Sequence, residues 1–489
     1  MNNISEVLAD IQFSFQYLLP EIFAIFLFIF NFLYAIVFKE KFKTLLNIIN
    51  ITVLVLISIQ YYLQLEGSTT KFIFNHNLII SHINIAFRFI LSISALLASV
   101  FFTVDNDSHT IPVYYFFSAL SSLLIGALFL SISATLLMIF LSFEIVSISA
   151  YVLVASQNKK NIAEAATKYL IFGLFASALM LYGFSLLFGF TGSFYIFESA
   201  FTINLLSAPL LTTSFALILI FAGIAFKLGA FPFHFWVADI YEQSSLMIVA
   251  TVSIVSKIAG IALLANIMPV IWDFDFKNFI SWFQPEYLIA CMAMLSIAVG
   301  NIQALNQQNI HRMLGYSTIA HTGFLLLPFA SFEKHAQEAV IYYSMVYVLI
   351  NYAMFVAIHI LDIYKTDAKF ADFRGAGWKN PLLGINILIA AIALTGLPPT
   401  NGFWGKFYIF SSAFDAYTLE QEMLFLVLFT FGIINAVVGL FYYIKLPYFM
   451  FKENNKNTIN YSSPRLIIFS LVLNIIVIIT FLKPEWLSL

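Results

Sequence analysis

Five ionisable residues stand where the surrounding sequence offers them no water. Glu144 lies in LSFEIVSISAY, Lys168 in EAATKY, Lys227 in FAGIAFKLGAFPFHFW, Lys257 in VSKIAG and Lys406 in LTGLPPTNGFWGKF. A carboxylic acid and several amines in one apolar interior can bind and release protons with no cofactor. Loss of water disfavours an ammonium ion, and a nearby carboxylate restores it. A buried amine balanced between those effects exchanges its proton near neutrality. Moving or neutralising the acid changes that affinity, at about 1.4 kcal/mol per tenfold. A static Glu144–Lys227 ion pair is the plainer alternative, but it has no use for lysines on further segments. Two histidines are candidate relays, His234 just after Pro232 and His321 in STIAHTGF, unless each is a hydrogen-bonded packing residue. His359 is a weaker candidate, and His76, His82, His109, His311 and His335 fall in or near loops.

The elements that must hold these residues are membrane helices. The 489 residues are 61% hydrophobic and 10% charged. No soluble core needs that much apolar surface, so the composition implies a polytopic, all-α membrane protein. Long continuous apolar runs exclude the short alternating segments of a transmembrane β-barrel. A net charge of -2 argues against nucleic acid, and the single Cys291 excludes an internal disulfide and a CxxC redox motif. No His, Asp and Glu set has metal-ligand spacing, and no glycine-rich loop would cradle a phosphate. The acidic N-terminus leads directly into an apolar run, which reads as a retained first helix and not as a cleaved signal.

About fourteen spans are expected, near residues 17–38, 45–65, 79–103, 112–130, 133–156, 164–190, 207–239, 244–266, 280–303, 312–330, 338–363, 383–415, 421–446 and 465–483. Two of them are broken. Pro232 interrupts the seventh five residues after Lys227, and Pro398 and Pro399 interrupt the twelfth before Lys406. Proline removes a backbone donor, and lipid tolerates such a break only inside protein or beside a watery cavity. A lysine at the bilayer centre costs about 2.5–3.5 kcal/mol on insertion scales. A broken span with a lysine at the break therefore points to an ion path.

The two breaks belong to a repeat. EAATKY at 164–169 resembles EAVIYY at 338–343, and a broken span follows each at a similar distance. Spans four to eight thus recur as nine to thirteen, and five spans per unit forces the second to lie inverted. The expected segments are 1–111 (three helices), 112–266 (first repeat), 277–446 (inverted repeat) and 447–489 (loop and last helix).

Loop charge gives the orientation. With the N-terminus outside, the inner loops carry Lys39, Lys41, Lys43, Lys159, Lys160, Arg312, Lys365, Lys369, Arg374, Lys379, Lys445, Lys452, Lys456 and Arg465. The outer side carries only Lys71, Lys277, Lys334 and Lys483. Both termini should therefore face the periplasm of a bacterial inner membrane. Arg88, in the outer half of its span, is expected to snorkel to the interface.

The quoted stretches carry a resemblance. FEIVSISAYVL at 143–153, EAATKYLIFG at 164–173, AFKLGAFPFHFWVADIYE at 225–242, VSKIAG at 255–260, NIQALNQQNIHRMLGYSTIAHTGFLL at 301–326 and LTGLPPTNGFWGKFYIF at 394–410 resemble the antiporter-like membrane subunits of proton-pumping NADH–quinone oxidoreductase, respiratory complex I. LLPEIF at 18–23 and Lys406 are similar to the N type among them, since M-type subunits carry Glu at the second break and L-type subunits add a long C-terminal extension. SISAT at 131–135 departs from the family, which commonly has an Asn-Asp pair there. The resemblance implies Glu144 and Lys227 as a coupled pair, Lys168 as its modulator, Lys257 as central relay and Lys406 as final donor toward the periplasm. It also implies that FMN, iron–sulfur clusters and NADH sit on partner subunits, with quinone bound mainly elsewhere. This chain would then contribute proton translocation. Two alternatives share the core motifs: a subunit of a multi-component sodium/proton antiporter, and a membrane subunit of an energy-converting hydrogenase.

Overall fold

A computed structural model describes residues 12, 14–38, 41–66, 70–105, 111–157, 162–273, 285–331, 333–362, 368–452 and 464–489. Lys39, Lys159, Lys160, Lys277, Lys365, Lys456 and His109 lie outside the described residues. The first six spans are Leu19–Val37, Lys43–Leu65, His82–Val104, Val113–Ile132, Leu136–Ala155 and Ile162–Thr191. The seventh is broken into Leu210–Leu228 and Phe235–Gln243. Leu246–Asp273, Pro285–Asn306, Ile310–Leu326 and Lys334–Asp362 are the eighth to eleventh. The twelfth is broken into Pro381–Thr395 and Asn401–Glu420, and Met423–Phe451 and Pro464–Leu482 complete the set. Apolar side chains surround these helices because lipid and protein both favour them, and a helix bonds its own backbone internally.

Burial sorts the spans. The most apolar windows of the eighth and eleventh spans are wholly buried, whereas a third or less of those in the first, second, thirteenth and fourteenth is covered. The eighth and eleventh pack against each other and against the third, forming the centre of the molecule. Close approach elsewhere depends on small residues. A Cβ on Gly300 would lie 2.5 Å from the Ala320 nitrogen, so glycine lets the ninth and tenth spans touch through backbone.

The repeat is visible in hydrogen bonds. Thr135 bridges Tyr195, with Leu136 N–H donating to Phe194 O at 3.0 Å and Ile196 N–H to Ala134 O at 3.3 Å. Asn309 bridges Lys369, with Ile310 N–H donating to Ala368 O at 3.0 Å and Phe370 N–H to Gln308 O at 3.3 Å. Residues 134–136 and 194–196 thus recur 174 positions on, as 308–310 and 368–370. The side chains of Thr135 and Asn309 each cap the helix that follows, accepting from Met138 N–H and from His311 and Arg312 N–H. Leu136 and Ile310 open the fifth and tenth spans, whose directions across the membrane are opposite. The two five-span units are therefore inverted.

Three expectations need correction. The third span begins at His82 and not at 79, because Leu78–Ile80 is a strand, β2, paired antiparallel with Lys71–Ile73, β1. The fifth span begins at Leu136 and not at 133, because Ser133 bridges Leu78 and Ala134 N–H donates to Asn77 O, so this turn stitches the hairpin to the 194–196 segment. Arg88 does not snorkel. It is fully buried, and its Nε lies 2.8 Å from Glu21 Oε1 with the guanidinium 4.6 Å from the Tyr61 ring centre. A carboxylate from the first span meets the arginine at depth, which removes the incentive to reach the interface. Ser199–Ser207, a short helix before the seventh span, was not expected at all.

Candidate functional site

Both breaks are built alike. The first half of the seventh span ends at Leu228 on Gly229 (φ +66°), and that of the twelfth ends at Thr395 on Gly396 (φ +83°). Both glycines take the left-handed conformation that side chains resist, so they end the helices before any proline is reached. Pro232 and Pro399 each follow three residues after the glycine, and a second half-helix then begins.

Each break presents an ammonium group near the C-terminal turn of a half-helix, where the helix dipole is negative. Lys227 is on that turn itself, 3% exposed. Its Nζ donates to Ser147 Oγ at 2.9 Å and lies 5.1 Å from the Phe143 ring centre. Lys406 comes from the opposite half-helix yet donates to Leu394 O at 3.0 Å and Thr395 O at 2.9 Å, with the Phe324 ring 4.9 Å away. Aligned on the two glycines, Leu394 is the counterpart of Lys227 and Asp239 that of Lys406. Each break thus has a lysine at the same C-terminal turn, supplied from a different position.

Glu144 lies between Phe143 and Ser147 on the fifth span, next to the two residues that meet the Lys227 amine, and among the described residues it forms no ion pair with that lysine. The carboxylate is half-buried, and its Oε1 has no hydrogen-bond partner among the described residues. Exposed Leu141, Ile145 and Ile148 surround it on the outer face of the helix.

Lys257 occupies the molecule's centre, 3% exposed. Its amine donates to Thr318 O at 2.8 Å and to the Thr322 hydroxyl, and Thr322 Oγ lies 3.0 Å from Leu228 O at the first break. A cavity of about 10 Å³ lies between Lys227 and Lys257. Beyond Lys257, His321 is held at both ring nitrogens, Nδ1 by Tyr343 Oη at 2.6 Å and Nε2 by Tyr443 Oη at 2.9 Å. The 174-residue shift maps Ser147, the partner of the Lys227 amine, onto His321.

Two sequence candidates are placed apart from this line. His234 caps the second half of the seventh span with its ring stacked on Phe231 and Phe235. Lys168 is 46% exposed at one membrane face, paired with Glu164 at 2.9 Å and Asp239 at 3.3 Å. Arg312 joins the same cluster through Asp239 at 3.3 Å and Glu242 at 2.7 Å. On the face bearing the hairpin, a hollow of about 770 Å³ is lined by Lys334, His335, Glu338, Tyr342, Tyr408 and Asp415, among others. Among the described residues no three His, Cys, Asp or Glu side chains converge as a metal requires.

Sequence reasoning missed Ser147, Thr318, Thr322, Tyr343, Tyr443, Asp239 and Arg312. Uncharged hydroxyls in apolar spans carry no insertion penalty that would single them out. The repeat register could have found one pair, Ser147 and His321.

Residues 133–434 match the family described as NADH:quinone oxidoreductase/Mrp antiporter, TM. The NADH-quinone oxidoreductase subunit N of Chlorobium chlorochromatii is 32% identical over 458 residues, 92% of this chain and 87% of that one. The subunit N of Coxiella burnetii is 30% identical, covering 89% of both chains. Among solved structures, a chain of Thermus thermophilus respiratory complex I matches with a TM-score of 0.78 at 23% identity, covering 95% and 97%. A chain of the Mrp complex from Dietzia matches at 0.80 and 16%, covering 96% of both. These structural likenesses speak for the fold. The matched family model and the relatives at 30% identity or more place this chain in the NADH:quinone oxidoreductase/Mrp antiporter family, among the relatives of subunit N.

Proposed function

We propose that this chain moves protons across a bacterial inner membrane as a subunit of an NADH–quinone oxidoreductase. NADH oxidation and quinone reduction, with the FMN and iron–sulfur chemistry they need, belong to partner subunits. The observation that carries this reading is the line of three buried amines, Lys227, Lys257 and Lys406, two of them at matching helix breaks. Static ion pairing does not account for it, because among the described residues none of the three forms an ion pair. Intramembrane ionisable groups without paired charges are a costly arrangement that function, not packing, explains. The relatives named as NADH-quinone oxidoreductase subunits, at 32% and 30% identity, favour this setting over a multi-component sodium/proton antiporter, since the Mrp complex chain is 16% identical.

The path starts at the charged face cluster of Lys168, Asp239, Glu242 and Arg312, which gathers protons on the cytoplasmic side. Lys168, sharing Asp239 with Arg312, modulates loading of Lys227 from that mouth. A change in charge at Glu144, driven by the redox partners, alters the hold on the Lys227 proton. The proton then passes to Lys257, through His321 with its two phenols, and to Lys406. His234 braces the first break between its phenyl neighbours. Release is toward the hairpin face, the periplasmic side, where the 770 Å³ hollow admits water. Glu144 itself faces outward among apolar side chains, a position that a neighbouring membrane subunit would cover.

Methionine keeps the length of lysine without its proton. Lys406→Met and Lys227→Met should each sharply lower proton pumping and coupled NADH oxidation in vesicles, with the complex still assembled. Undiminished pumping by an assembled Lys406→Met complex defeats this reading.

A further inference from the structure

The hollow of about 770 Å³ on the hairpin face holds charges that the chain itself does not meet. Its wall includes Lys334, Glu338, Tyr342, Tyr408 and Asp415. Among the described residues, Lys334, Glu338 and Asp415 form no ion pair and no side-chain hydrogen bond. Lys334 stands one turn before Glu338 on the eleventh span, a spacing that permits an ion pair, yet the two do not join. Tyr342 is 3% exposed, and its hydroxyl has no hydrogen-bond partner among the described residues. A buried hydroxyl left unpaired costs free energy, and two carboxylates in one concavity repel each other.

The inverted repeat supplies a reference for this wall. The 174-residue shift carries Glu164 to Glu338 and Lys168 to Tyr342. In the first unit the chain meets its own carboxylates, since Lys168 Nζ lies 2.9 Å from Glu164 Oε1 and 3.3 Å from Asp239 Oδ2. In the second unit the glutamate is kept, but a phenol replaces the amine. Asp415 brings a second carboxylate to the hollow, as Asp239 does on the other face. The wall also has the aromatic surface that an ammonium favours. Tyr342 and Tyr408 meet edge to face at 4.9 Å. In the interior, Lys227, Lys257 and Lys406 each lie over such a ring, at 5.1, 5.7 and 4.9 Å.

We propose that the hollow binds an organic primary ammonium group, seated between Glu338 and Asp415 against Tyr342 and Tyr408. Its N–H bonds serve the two carboxylates and the Tyr342 oxygen, and its charge faces the phenol rings. The volume lies within the range of about 300–1,000 Å³ usual for small-molecule sites, so there is room for more than the ammonium itself. Two carriers share this chemistry. One is the headgroup of an aminophospholipid, to whose phosphate Lys334 offers a counter-charge; the other is a free polyamine. The inference goes beyond the translocation reading and stands without it, because binding needs none of the interior lysines.

Two measurements on the intact complex test this, both in nanodiscs of phosphatidylglycerol, a lipid without an amine. The first is equilibrium binding of radiolabelled putrescine. A saturable component should appear that Glu338→Gln and Asp415→Asn each weaken about tenfold. Tyr342→Lys, which returns the amine of the first unit, should remove it, and Glu164→Gln should leave it unchanged. The second is a density map with phosphatidylethanolamine added to the nanodiscs, expected to show a headgroup against Glu338 and Asp415. A headgroup there without carboxylate-dependent putrescine binding names the lipid as the carrier, and the converse result names the free amine. If neither is found, or if pure phosphatidylglycerol fills the hollow equally, the proposal is overturned. Lys406→Met in the same preparation separates the two ideas. If it stops pumping while the hollow binds no ammonium, only this inference fails. If it pumps normally while the hollow is filled, only the translocation reading fails.

Discussion

At the scale of single residues, charge in this protein is tolerated only where a specific partner meets it. Lys227, Lys257 and Lys406 exchange lost hydration for one or two oxygens and an aromatic face each, which holds an ammonium in place without fixing it in an ion pair. Arg88 is the contrasting case, locked to Glu21 at 2.8 Å and to Tyr17 O at 3.0 Å. Removing one member of such a pair leaves a buried charge alone, at about 3–5 kcal/mol, whereas removing both can be nearly neutral. Arg88→Met should therefore lower the thermal unfolding midpoint of the purified complex more than Glu21→Leu combined with Arg88→Met. Equal loss in the single and double variants would refute an energetically coupled pair. The sequence reading failed at Arg88 because depth along a helix can be counted and a partner from another span cannot. Glu21 is 67 positions away, in a motif that resembled the N subunits but carried no distance. The lysines were legible for the opposite reason, since the cost of a charge in an apolar run is local.

At the scale of elements, the breaks matter more than the spans. Proline marked both breaks in the sequence, but glycine ends both helices. Gly396 does a second job, because a Cβ there would lie 2.7 Å from Lys406 Cδ and 3.2 Å from Gly402 O. Gly396→Ala should therefore cost about 1 kcal/mol or more in backbone strain and also push the lysine off the carbonyls of Leu394 and Thr395. Gly229→Ala carries the same backbone strain, but its Cβ would meet Val237 Cγ2 at 2.8 Å, not the lysine. Pumping should fall further in Gly396→Ala than in Gly229→Ala. Gly189→Ala, whose Cβ would meet nothing within 4 Å, is the control that should pump normally. Equal pumping by all three variants would mean that the Lys406 side chain does not depend on the shape of its break. Hydropathy placed the fourteen spans well because thirteen of them contain an apolar helix long enough to cross a membrane and the twelfth contains a shorter apolar one. The β1–β2 hairpin and the extended 133–135 segment were missed, since three-residue strands have too few positions to show alternation.

At the scale of the whole molecule, the loops segregate. The hairpin, the 133–135 turn and the 194–196 segment bond to one another, joining the loops after the second, fourth and sixth spans. The opposite face has its own bonds, Asn309 with Lys369, Lys445 with Leu305 O at 3.0 Å, and His359 with Asp105 at 2.7 Å. These ties join only loops and helix ends of one side, as a chain crossing the membrane fourteen times requires. They fix which segments share a face but not which face meets the cytoplasm. The basic residues supply that choice. Among the described loop residues, Lys41, Lys43, Arg312, Lys369, Arg374, Lys379, Lys445, Lys452 and Arg465 fall on one side, and Lys71, Lys334 and Lys483 on the other. Basic loops stay cytoplasmic during insertion, so the hairpin face should be periplasmic. Single cysteines in a Cys291→Ser background can check this in right-side-out vesicles. A membrane-impermeant maleimide should label Lys334→Cys and Lys483→Cys in sealed vesicles, and Lys379→Cys and Lys452→Cys only after the vesicles are opened. The reverse pattern would turn the molecule over. It would place the hollow beside Tyr342 and Tyr408 on the cytoplasmic side, and the Lys168–Asp239–Arg312 cluster would become the exit instead of the entrance.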